Sequence, residues 1–436
     1  MPKAVSRMLT LLCALVVALP VGTNLGLLHL LWMVVSGRLL TTRGAVIPGL
    51  DACGLSRRAV RRAWAALGTG AWTSEHLLQQ WAQLVTNEGR WQARCHGGYQ
   101  PMPVDVTGFW RPRLQGCPTT HYHAQAGKAL PAIPVGLVAR VGEVDAQRVP
   151  LPLALVPAPP TDPHPSDHAR ALLRAAVGQC TPADALVLDA GFSLAQLQEE
   201  GATRYVVRLA KNATLRRATP PPYRGRGRPP TRGLLVRPLA RRTRGRWLAA
   251  TAPDDEVRWE EGSLRLRAEV WHDLVLPTAS PNASPVTVVA IHDPRYRDPW
   301  LLATPLPLPP SAVRALYRDR WPVEQLPLVA KQLLGAARQF VHAPQTVQRL
   351  PLLTLLAGAL LAYAAATTPA TPTGFWDRRP QPTAGRLRRV LAQAPFPADF
   401  PLPAHLRAKC TPTAQLRTGF WGQRRPRTAP PSGSAA

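Results

Sequence analysis

Three short runs between residues 103 and 158 constrain the fold most: PVDVTGFW (103–110), IPVGLVARVGEV (133–144) and VPLPLALVPA (149–158). Each is apolar or alternating and is bounded by turn residues, the pattern of a strand. SDHARALLRAAVGQC (166–180) then has helical periodicity, with Ser166 placed to cap it. ALVLDAGF (185–192) reads as a buried strand ending in Asp-Ala-Gly, SLAQLQEEG (193–201) as a short helix, and RYVVRLAKN (204–212) as a further strand. Three consecutive strands followed by alternating helix and strand predict a mixed α/β sheet covered by helices.

The flanks read differently. Residues 1–98 are helical in pattern, with apolar segments at 8–19 and 25–35 followed by GLSRRAVRRAWAALG (54–68). In the last of these Ser56 is a candidate N-cap, and Arg57, Arg58, Arg61 and Arg62 recur at helical spacing. Such a basic helix, entered through the turn between Gly49 and Gly54, suits a DNA-contacting helix-turn-helix through Arg57 and Arg61; a solvated helix face has the same pattern. After residue 212 the chain carries PPPYRGRGRPPTRG and RRTRGR, a basic loop without a packing period in which Arg226 and Arg228 are candidate DNA contacts. Strand character returns in 257–271, 286–292 and 300–306, so 213–306 is expected to be a β-rich insertion in a catalytic domain formed by 99–212 and 307–366. Ser311 is expected to begin the next helical region. Residues 367–436, rich in Pro, Thr and Arg and containing TGFWDRRP and TGFWGQRRP, are expected to form a flexible basic tail.

The partner follows from charge. The 53 basic against 25 acidic residues give a net charge of +28, and the excess is arginine, 48 against 5 lysines. A surplus of this size captures long polyanions, nucleic acid first among them; a GC-rich coding bias would also favour arginine over lysine, but does not by itself explain so few acids. The six cysteines are scattered without Cys-x-x-Cys or paired Cys/His spacing, which supports neither a zinc site nor a disulfide framework and suits a reducing cytoplasm. Two segments imitate membrane signals. Lys3 and Arg7 precede the apolar run 8–19, and 350–366 is uncharged. The first continues into an amphipathic pattern with Asn24 and His29 and the second is at the short limit for a span, so both are expected to be buried helices and no membrane is invoked.

Three carboxylates stand out by isolation. Asp105 is the only acid between Glu88 and Glu143 and lies in an apolar strand; Asp189 ends the strand LVLD; Glu324 lies between Asp319 and Asp377 in YRDRWPVEQLPLVAKQLLG (317–335). An acid on a buried strand is costly unless paired or metal-bound. Around Glu324, Tyr317, Arg320 and Lys331 would share a sector of about 60° on an ideal helix, although Pro322 and Pro327 argue for a kink. Carboxylates of this kind suit hard divalent ions, whereas each acid alone is as readily a capping or ion-paired residue.

The spacing Tyr317, Arg320, Glu324, Lys331 resembles the Tyr-Arg-Glu-Lys signature of bacterial DDE insertion-sequence transposases, and PVDVTGF and LVLDAGF resemble the segments carrying that family's two aspartates. The resemblance covers roughly 20–366; the tail beyond departs from it. It implies a ribonuclease-H-like catalytic domain in which Asp105, Asp189 and Glu324 hold two Mg²⁺ (or Mn²⁺) ions, cleavage at element ends and strand transfer into target DNA. By the same resemblance Tyr317, Arg320 and Lys331 contact the transposon-end DNA, and the active form is a homodimer in the cytoplasm, at the nucleoid. Trp321 would stack on a displaced base or serve as a core aromatic. The rival expectations are a DNA-binding derivative without catalysis, a metal-dependent nuclease of the same fold that cuts without joining, and a membrane-associated basic protein.

Overall fold

The computed structural model describes residues 2–19, 24–159, 165–223, 225, 228, 230–278, 283–372, 374–403 and 406. The chain begins with α1 (Lys3–Val17), α2 (Asn24–Val35), α3 (Arg38–Thr41), α4 (Val46–Asp51), α5 (Arg57–Thr69) and α6 (Ser74–Glu88). Ser56 caps α5, its side chain accepting from Ala59 N at 3.3 Å. α2 and α5 approach so closely at Gly26 that a Cβ there would lie 2.7 Å from Arg62 O. Glycine at this crossing lets the helices seal the wholly buried Leu27, Leu30 and Leu31, each worth about 1.5–3 kcal/mol.

The sheet begins with β1 (Gln92–Ala93), β2 (Gln100–Trp110), β3 (Thr120–His123), β4 (Lys128–Val144) and β5 (Gln147–Pro157). It continues through α7 (Pro165–Gln179), β6 (Asp184–Leu188), α8 (Leu194–Glu199) and β7 (Tyr205–Arg208). β4 is antiparallel to both β2 and β5, whereas β2, β6 and β7 are mutually parallel neighbours. The strand order is therefore β5-β4-β2-β6-β7, with β2 central.

Residues beyond 212 extend this sheet. β8 (Leu215–Arg217), β9 (Leu235–Val236), β12 (Asp255–Glu261), β13 (Leu264–Val275), β14 (Val286–His292) and β15 (Trp300–Thr304) join it, β15 pairing antiparallel with β7. β10 (Arg241–Thr243) and β11 (Arg246–Leu248) form a separate hairpin. Two expectations are corrected here. The single run 257–271 is a hairpin, turned at Gly262 with φ +59°. The basic stretch 213–245 does contribute to the core, because Leu215 and Val236 are buried at 1% exposure. Arg226 lies outside the described residues.

Helices close both faces. One carries α7 and α8 over Met102, Val104, Leu186 and Leu188. The other carries α9 (Pro310–Arg318), α10 (Trp321–Leu328) and α11 (Pro344–Ala366). α1, α2, α10, α11 and α12 (Ala384–Gln393) share one apolar core with β4 and β5, so the first and last described helices belong to the same core. This corrects the expectation of a flexible tail for the described part of 367–436: Leu387 and Leu391 are buried, and the Phe396 ring stands edge-on to His29 at 4.8 Å and Trp32 at 6.0 Å. TGFWGQRRP lies outside the described residues. α11 is long and apolar enough to cross a membrane, but 89% of its apolar window is buried in the protein.

Candidate active site

Strand alternation selects the face on which the site forms. In β2, Met102 and Val104 point to the α7 side, so Asp105, Thr107 and Phe109 point to the side of α9 and α10. The parallel register pairs Val104 with Leu188, which sets Asp105 beside Asp189 at the adjoining strand end. Glu324 comes from above, in the first turn of α10.

Asp105 feels the other two acids. Burial first, and then the charge of Asp189, push the Asp105 carboxyl up to about 7; Glu324 adds to the rise, and Arg320 and the Val106 backbone N–H oppose it. The remaining contacts are specific. Asp189 Oδ1 accepts from Gly191 N at 2.9 Å, and Glu324 Oε1 receives Arg320 Nη2 at 2.6 Å. Among the described residues no three His, Cys, Asp or Glu side chains stand close enough to form a ready metal shell. The donor chemistry nevertheless fits hard divalent cations: a buried carboxylate beside two further carboxylates is destabilised by charge that such a cation would neutralise.

The four-residue signature does not lie on one helix, which corrects the single-sector expectation. α9 ends at Arg318, Asp319 and Arg320 form a break, and α10 begins at Trp321 with Pro322 in its first turn. Beyond Pro327, which lacks the N–H for a helical bond, residues Val329–Leu333 form a π-helical turn. That wider turn delivers Lys331 to β2, where its Nζ donates to Thr107 Oγ1 at 2.7 Å and lies 4.5 Å from the Trp110 ring centre. Burial brings the Lys331 ammonium down to about 8, with Asp105 opposing.

Tyr317 is buried at 5% exposure, its ring 5.4 Å from Trp300 and 5.6 Å from the Arg320 guanidinium, and its hydroxyl has no hydrogen-bond partner. Trp321 is 54% exposed, which removes the core-aromatic reading. Both line a cleft of about 600 Å³ with Arg320, Arg148, Arg208, Arg295, Tyr296 and Trp300. The cleft adjoins the acids through Arg320 and does not contain them. Arg148, Arg208, Arg295, Tyr296 and Trp300 were not singled out by sequence reading; the arginine-aromatic alternation of DPRYRDPW (293–300) is the signal that marks three of them.

Asp319 is a second unanticipated feature. It is 2% exposed and accepts from Arg94 Nε at 2.7 Å, lies 2.7 Å from His96 Nε2 and pairs with Arg148 at 3.3 Å. Burial alone would raise its carboxyl; the His96 and Arg94 hydrogen bonds outweigh that and hold it below the usual range. This clasp fixes the break between α9 and α10 against the start of the sheet. Arg57 and Arg61 are exposed on α5 and Arg228 is exposed in the basic stretch, none of them part of the acid cluster.

Residues 153–273 match the DDE superfamily endonuclease model. The matched stretch runs from β5 to β13 and includes Asp189 but neither Asp105 nor Glu324. It supports a DDE-type, transposase-like endonuclease. No curated protein matches the chain.

Proposed function

We propose that the chain is a DDE transposase, which cuts DNA at the ends of its element and joins the freed 3′-hydroxyl to target DNA. The observation that carries the reading is the coupling of Asp105 to both Asp189 and Glu324 beside a basic, aromatic cleft. The strand order β5-β4-β2-β6-β7, three antiparallel strands followed by two parallel ones, supports a ribonuclease-H-like core in which 213–306 is an insertion. Asp105, Asp189 and Glu324 would hold two Mg²⁺ or Mn²⁺ ions, which activate an attacking oxygen and stabilise the leaving one when bound.

The protein's own groups then have distinct tasks. Arg320 and Lys331 hold backbone phosphates on either side of the acids, and the buried Lys331 ammonium gains most from a phosphate because it has least water to lose. Trp321 and Trp300 offer stacking surfaces to a nucleotide in the cleft, and the buried Tyr317 forms part of the wall behind them. Arg57, Arg61 and Arg228, all exposed, are further DNA contacts in this reading, and Arg226 takes the same role on its sequence alone. Joining two ends requires two copies, hence a homodimer on DNA, in the cytoplasm.

The Arg320–Glu324 ion pair favours a second reading, a derivative that binds DNA without cutting it. One assay separates them. Linear DNA carrying the inverted repeats that flank the gene is incubated with protein and Mg²⁺, with Glu324→Gln and Asp189→Asn in parallel. End-specific nicks and joined products that disappear in both variants are the expected result. Cutting without joining identifies a nuclease, binding without cutting the inactive derivative, and unchanged products in the variants overturn the site.

A further inference from the structure

Behind the cleft, α9 carries an arginine that solvent barely reaches. Arg314 is 1% exposed, and one turn further along the same helical face stand Tyr317 and Arg318, both in the cleft wall. The described residues that line the cleft include neither Arg314 nor its two acid partners. Arg314 Nη2 donates to Asp293 Oδ2 at 2.8 Å, its Nη1 pairs with Glu261, and its guanidinium carbon lies 6.0 Å from the centre of the Trp300 ring.

Each of these contacts fixes a different segment. Glu261 ends β12 at the turn into β13 and also receives Arg318. Asp293, its side chain 1% exposed, starts the loop from β14 to β15 and folds it back. Its Oδ1 accepts from Arg295 N at 3.1 Å and from Arg295 Nε at 3.0 Å, its Oδ2 accepts from Arg295 Nη2 at 2.7 Å, and its carbonyl accepts from Tyr296 N at 2.9 Å. The Tyr296 ring then stands 5.3 Å from Trp300, and Trp300 stands 5.4 Å from Tyr317. Arg295, Tyr296 and Trp300 line the cleft, so this side of its wall hangs from one buried fork.

Stability does not explain the arrangement. Taking a guanidinium out of water costs about as much as its ion pairs return, and a well-packed apolar side chain of similar volume fills such a space at equal stability. The Arg314 Nε is buried without a hydrogen-bond partner, a further cost that an apolar residue does not carry. What the arginine adds is direction, because a planar fork bonded to two carboxylates beside an aromatic ring is held in one orientation.

We propose that Arg314 is a positioning residue for DNA in the cleft: through Asp293 and Trp300 it sets the aromatic wall against which a nucleotide of the element end stacks, and it does not touch the nucleotide. The β14–β15 loop is thereby placed before DNA arrives, so that binding does not have to order it. The inference deepens the proposed function and rests on its reading of the cleft as a nucleotide site.

The test is a double-mutant cycle on the full chain. Binding of element-end DNA is measured in EDTA by fluorescence anisotropy, and 2-aminopurine is placed in turn at each terminal position, so that stacking on the cleft wall is read as quenching. Trp300→Ala removes the wall itself and should weaken binding about tenfold or more and abolish the quenching. Arg314→Met should keep the wild-type melting temperature, weaken binding about tenfold and abolish the quenching; combined with Trp300→Ala it should add nothing, since both act through one ring. Asp293→Asn, which loosens the same loop from its other partner, should behave as Arg314→Met does and carries the test if that variant does not fold. Additive losses in the double variant, or wild-type quenching in Arg314→Met and Asp293→Asn, overturn the proposal and leave the reading of the cleft intact. Loss of folding in both variants shows that the pair holds the fold and not the wall, which also overturns it. Wild-type protein without quenching at any position, with Trp300→Ala binding as tightly, overturns the reading of the cleft and the proposal with it.

Discussion

Asp105 is where the metal-free protein loses stability. Its carboxyl, pushed up to about 7, keeps its proton in the folded state at pH values where the unfolded chain has already released it. The folded state therefore binds more protons between about pH 4 and 7, and stability falls as pH rises through that window and is flat above it. Each unit of displacement is worth about 1.4 kcal/mol, so Asp105→Asn should stabilise the protein at about pH 8 by on the order of 2–4 kcal/mol and abolish the fall. Urea denaturation in EDTA near pH 5 and about pH 8 measures this; a wild-type stability that does not decline between them would contradict the coupling. Mg²⁺ should raise the wild-type melting temperature more than that of Asp105→Asn, since the ion stabilises the fold only where it has ligands. The isolation of Asp105 in an apolar strand was visible in the sequence. Its neighbours were named only through the family resemblance; the Arg320–Glu324 pair, four residues apart, is one that an ideal helix also makes.

The decisive element is the broken helix from α9 to Gly335. Pro322 and Pro327 gave notice of irregularity, but they could not show that the break would be clasped by Asp319. Its partners Arg94, His96 and Arg148 lie 225, 223 and 171 residues away in sequence, beyond any periodic signal. The π-helical turn that places Lys331 ends at Leu333, and two residues on the chain turns at Gly335, whose φ is +87° and where a Cβ would stand 2.4 Å from Leu40 N. Gly335→Ala should therefore destabilise by about 1–3 kcal/mol. The same variant should raise KM for DNA if Lys331 moves with the turn. A variant with wild-type stability and kinetics would show that this close approach does not hold the turn. Conversely, Ser56→Ala removes only the α5 cap and should cost about 1 kcal/mol, read from the shift in urea midpoint.

Over the described molecule, the N-terminal helices and the segment up to Phe396 close the same core. Arg7 on α1 pairs with Glu88 at the end of α6, and the Tyr363 hydroxyl of α11 donates to Glu88 Oε2 at 2.7 Å. Phe396, far along the chain, fills the space against His29 and Trp32 of α2. Phe396→Ala should lower the melting temperature through a loss of about 1–3 kcal/mol while leaving DNA affinity in EDTA unchanged, because the ring is remote from the cleft. Loss of DNA binding in that variant would mean that the terminal packing also sets the DNA-binding surface.

The sequence by itself determined the main strands and helices between 99 and 212, the α/β class, the basic character and the isolation of three acids, because each is written in local periodicity or charge. Composition also marked 213–245 as basic, yet it hid the hairpin and the buried Leu215 and Val236, whose roles depend on partners elsewhere in the chain. Only the tertiary structure decided that Asp105 lies in register beside Asp189, that the helix carrying Glu324 starts anew after a break at Asp319, and that an arginine-rich cleft opens nearby. Such juxtapositions follow from sheet register and from ion pairs spanning most of the chain, and a periodic pattern carries no record of either.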